Sequence, residues 1–65
     1  MQVTIRRRVY IPENYQQRPG NRKLEIVAMH GDEVLDGTEG PLKMRKYMEK
    51  FMREMCAERG WEVVQ

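Results

Sequence analysis

The chain has 65 residues, of which 34% are charged and 40% hydrophobic; 12 Lys and Arg against 10 Asp and Glu give a formal charge of +2. That length makes one domain, residues 1–65, near the lower size at which a core sustains itself, and no apolar run approaches the ~20 residues needed to cross a bilayer. The N-terminal MQVTIRRRVY lacks the apolar core of a signal peptide, so the expectation is a cytoplasmic protein with no membrane partner.

The first predicted element is a strand over 3–11, VTIRRRVYI. Alternation sets Val3, Ile5, Val9 and Ile11 on one face and Thr4, Arg6, Arg8 and Tyr10 on the other. Arg7 alone interrupts the apolar face, where an unpaired charge is costly. Three solutions fit: Arg7 at the sheet rim with its stem over Trp61, a bulge that turns it outward, or a carboxylate such as Glu62 beside it. Pro12 ends the ladder, and the polar PENYQQRPGN that follows carries the turn signal Pro19-Gly20-Asn21.

A second strand is predicted over 23–30, KLEIVAMH, apolar on both faces toward its end. Gly31-Asp32 fits a two-residue hairpin, since glycine takes the positive φ of the first central position. A short third strand then covers about 33–36. Next comes an amphipathic helix over about 41–59, with Thr38 or Gly40 as N-cap, Pro41 in the first turn and Gly60 as the left-handed stop. Met44, Tyr47, Met48, Phe51, Met52 and Met55 recur at three- and four-residue spacing and form one helix face. The expected core joins Met48, Phe51 and Met55 to Ile5, Val9, Leu24 and Ile26. WEVVQ reads as a short last strand. The expected fold is therefore α+β: a small two-layer domain in which an antiparallel sheet of three to four strands (β-β-β-α-β) packs on one long amphipathic helix.

Enzyme chemistry is poorly provided for. There is no serine, one histidine, one cysteine and two threonines, so nucleophile, base and orienting group are scarce. The expectation is no enzyme, no cofactor and no metal. The lone Cys56 excludes an internal disulfide and a cysteine zinc cluster, and it reads as a small buried side chain. The acidic GDEVLDGTE lacks the ligand spacing of a calcium loop. His30 is expected opposite Glu33 across the hairpin.

Charge distribution says more than net charge. Residues 1–30 carry +4, residues 31–41 carry −4 and residues 42–65 carry +2. Arg6 and Arg8 share a strand face with Tyr10, a surface suited to phosphates and to stacking on a base. The loop and following strand add Tyr15, Arg18, Arg22 and Lys23. Lys43, Arg45 and Lys46 lie in the first helical turns, where they oppose the helix dipole, so they answer to something besides helix stability. The plain alternative is that the arginines solubilise a sheet edge.

Two function classes follow. One is a small nucleic-acid-binding or regulatory module using Arg6, Arg8, Tyr10, Tyr15, Arg18, Arg22 and Lys23. Some small DNA-binding modules place three strands before a helix in the same way, a likeness of architecture with no base-contacting motif beside it. The other is a protein-interaction module, a small inhibitor or dimeric adaptor of the kind phages and mobile elements carry, acting through a sheet edge or an apolar sheet face. A chain this short also favours a homodimer.

Overall fold

The computed structural model describes residues 1–13 and 19–64. Its centre is the strand KLEIVAMH. Leu24, Ile26 and Ala28 alternate onto one face and are almost wholly buried, which requires cover from both neighbours and from a second layer. The elements are β1 (Gln2–Tyr10), a 3-10 turn (Pro19–Asn21), β2 (Lys23–His30), β3 (Glu33–Pro41), a second 3-10 turn (Leu42–Met44), α1 (Arg45–Glu58) and β4 (Glu62–Val63). The sheet order is β3-β2-β1-β4. The first three strands form an antiparallel meander, and β4 lies parallel to β1, pairing Gln2 with Glu62 and Val3 with Val63. The fold is thus the expected small α+β domain, with a mixed sheet where an antiparallel one was anticipated.

The turn chemistry works as the sequence suggests. Gly31 has φ +62° in the hairpin, and His30 pairs with Glu33 across it. The His30 side chain turns elsewhere, its ring Nδ1 lying 3.0 Å from the Gln2 carbonyl. Gly60 has φ +73°, its N–H donates to Ala57, and the Trp61 N–H donates to Cys56. These two bonds close the helix with paired carbonyls at its end.

β3 runs five residues further than expected. Residues 37–41 stay in register with Val27 through Lys23 of β2, so Thr38, Gly40 and Pro41 belong to the strand and none caps the helix. Glycine and proline are poor strand formers, and here neighbouring β2 overrides that preference. Val27 lies directly over Gly37: a Cβ there would sit 2.7 Å from the Ile26 carbonyl oxygen and 2.8 Å from a Val27 methyl.

The core consists of Val3, Leu24, Ile26, Ala28, Met48, Met52, Met55 and Cys56, with Ile5, Leu35, Leu42 and Trp61 packed against it. Two expected members are absent. Phe51 is 51% exposed and Val9 is 53% exposed. The helix lies over β2 and β3 and touches β4, so its buried sector centres on Met48, Met52, Met55 and Cys56. The other half of the apolar stripe, Met44, Tyr47 and Phe51, faces outward.

Arg7 does point to the helix side, and its partner is Glu49. The guanidinium donates from Nε at 2.5 Å and from Nη2 at 2.8 Å to the two carboxylate oxygens. Neither Glu62 nor Trp61 takes that role; Trp61 lies under Arg59 instead, 5.1 Å from its guanidinium carbon. Among the described residues no helix is long and apolar enough to cross a membrane.

Candidate nucleic-acid interface

Among the described residues no second helix covers the sheet face away from α1. Register places Tyr10, Lys23 and Pro41 in one row, then Arg8, Glu25 and Glu39, then Arg6, Val27 and Gly37, and finally Thr4, Met29 and Val34. The predicted strand residues Arg6, Arg8, Tyr10 and Lys23 therefore do share a face, but carboxylates are threaded among them. Arg8 Nε lies 3.4 Å from Glu25, and its guanidinium stacks 4.5 Å from the Tyr10 ring centroid. The Tyr10 hydroxyl donates to Glu39, which holds the phenolic proton and raises its pKa. Tyr10 thus has both its ring face and its hydroxyl engaged within the sheet. Beyond this mixed-sign half the face turns apolar, with Val27, Met29 and the 56% exposed Val34 beside Arg6.

A second surface is more uniformly charged. At the end of the sheet marked by Tyr10, Lys23 and Pro41, the chain turns into the helix. There the Leu42 N–H donates to the Arg22 carbonyl at 3.0 Å. That bond fixes the segment before β2 against the start of the helix. It brings Arg22 together with Lys43, Arg45 and Lys46 around a shallow concavity that Gly20, Leu42 and the 71% exposed Tyr47 complete. Among the described residues no carboxylate lines it. Arg45 feels Glu49 one turn on, and among the described residues no ion pair joins Arg22, Lys43 or Lys46 to an acid. The first helical turn carries no acidic residue and no side-chain cap. Four cations therefore gather near the positive end of the helix dipole, an arrangement that helix stability alone does not favour.

No protein-family model, curated protein or solved structure matches the chain.

Tyr15 and Arg18 lie outside the described residues. Of the other expected contacts, Arg22 belongs to the concavity, Lys23 sits at its sheet-side margin, and Arg6, Arg8 and Tyr10 occupy the open face. Lys43, Arg45 and Lys46 were absent from the expected contact set, although their unfavourable placement against the dipole was the visible signal. What joins them to Arg22 is a tertiary hydrogen bond twenty residues long in sequence span, which no local pattern announces. Among the described residues no group of three His, Cys, Asp or Glu side chains is placed to hold a metal ion.

Proposed function

We propose that the chain is a small nucleic-acid-binding module, without enzymatic activity, that holds the phosphate backbone in the concavity at the start of α1. The observation that carries this reading is the convergence of Arg22, Lys43, Arg45 and Lys46 with no carboxylate among the described lining residues. Phosphate oxygens would neutralise the cations gathered at the start of the helix. Tyr47, exposed at the edge, offers a ring on which an unpaired base stacks. Arg6 and Arg8 on the open face extend the contact. The setting proposed is the cytoplasm, where the lone Cys56 stays reduced. The homodimer expected from the chain's size belongs to the same proposal and is supported by Met44 and Phe51, left half exposed on the helix flank.

Fluorescence anisotropy with generic DNA and RNA across a salt series tests the reading. Each phosphate contact contributes roughly −0.9 to the log–log slope on duplex DNA, so Arg22→Ala, Lys43→Ala and Lys46→Ala together flatten it by about three. A matched variant that exchanges Arg and Lys at those positions keeps the slope. Absence of binding by the wild-type protein at low salt defeats the proposal.

A further inference from the structure

β1 has two edges, and only one is fully paired. Toward β2 it is paired from Thr4 to Tyr10; on the other side β4 reaches only Gln2 and Val3. The carbonyls of Met1 and Val3 accept from the Glu62 and Val64 N–H groups, so the odd-numbered residues are those that turn their backbone outward. By the same alternation Ile5, Arg7 and Val9 present N–H and C=O groups to the outer edge, where among the described residues no backbone group meets them. Beside this edge, on the helix side, runs a groove lined by Ile5, Met52 and Val63 with Arg7, Glu49 and Arg53. It exists because the helix sits over β2 and β3 and leaves the helix-side margin of β1 partly bare.

We propose that this edge is a strand-addition site for an extended acidic segment of another protein, one that alternates carboxylate and small apolar side chains. Outward backbone groups supply the ladder, as in other sheet-edge recognition. One set of incoming side chains enters the groove against Ile5, Met52 and Val63. The alternate set emerges on the open face beside Arg6 and Arg8, where carboxylates are favoured; Arg6 has no ion pair among the described residues. A second copy of this chain is a poor occupant. Two β1 strands laid side by side would set one arginine triplet against the other. The β3 edge is interrupted by a register shift, by Gly37 and Gly40 and by Pro41, features that discourage pairing. The inference rests on the open edge of β1 and its groove, whereas the nucleic-acid reading rests on Arg22, Lys43, Arg45 and Lys46; the two share only Arg6 and Arg8.

The test is an amide-resolved NMR titration with a blocked eight-residue peptide alternating Glu and Val, with a Lys and Val peptide as control. Addition at the edge slows exchange at the Ile5, Arg7 and Val9 amides and leaves Arg6 and Arg8, already bonded to β2, unchanged. Arg6→Glu with Arg8→Glu transfers the preference to the Lys peptide, and alanine at either position weakens the Glu peptide by on the order of tenfold. Equal binding of both peptides by the wild-type protein overturns the proposal. So does a response confined to Arg22, Lys43 and Lys46, or edge protection that rises with protein concentration alone.

Discussion

Arg7 of β1 and Glu49 of α1 meet through two parallel hydrogen bonds across the two layers of the fold. The Arg7 bond holds the Glu49 carboxyl below the usual carboxylate range, with Arg53 and Arg45 adding to the effect. A carboxyl lowered in the folded state contributes stability above its unfolded value, and that contribution disappears as pH falls through the folded one. Both side chains keep contact with water, so Glu49→Gln is expected to cost about 0.5–1 kcal/mol near neutral pH. Denaturant midpoints of wild type and variant should differ steadily down to about pH 5 and converge only once pH has fallen below the usual carboxylate range. A difference that persists in acid would assign Glu49 a purely steric role.

The two halves of the methionine-rich stripe should behave differently. Met52 is 2% exposed, so Met52→Ala should cost about 2–5 kcal/mol, enough to threaten a domain of this size. Phe51→Ala, on the bare flank, should stay within about 0.5 kcal/mol of wild type when both are measured dilute enough to be monomeric. Urea denaturation of both variants decides it, and a large loss for Phe51→Ala would place the helix on its other face.

Gly37 and Gly40 form a second contrast. At Gly37 the nearest obstacle to a Cβ is the Ile26 carbonyl, which cannot move without disturbing the sheet; at Gly40 it is the flexible Met48 Sδ at 3.4 Å. Gly37→Ala should destabilise by about 1–3 kcal/mol, and Gly40→Ala should be nearly neutral. Thermal melts of the pair read this directly.

Self-association is measured by sedimentation at up to ~100 μM. The expected result is a homodimer that Phe51→Asp returns to monomer. A wild-type protein that remains monomeric throughout that range refutes the expectation.

Much of the architecture was legible because it rests on local chemistry. Period-two alternation located β1 and β2, and Gly31 and Gly60 marked turns that need positive φ. The misread parts depend on neighbours. β3 continues through Gly37, Gly40 and Pro41 because β2 supplies partners for their backbone. Phe51 belongs to an apolar sector wider than the sheet can cover, and a helical wheel cannot say which flank stays bare. Arg7 found Glu49 across 42 residues of sequence, beyond the reach of any spacing rule. The basic concavity was half visible, in cations set against the helix dipole.

The sixty-residue separation of Gln2 from Glu62 makes β4 the strand with the most loop entropy to overcome. The meander and helix rely on shorter-range contacts, so β1 can have its inner neighbour well before its outer one. Completing the sheet is then a late and shallow event, held by two residue pairs. In the native protein the same asymmetry makes this corner the first to open. Hydrogen exchange should therefore find the Glu62 and Val64 amides released by local fraying while Ile26 waits for global unfolding.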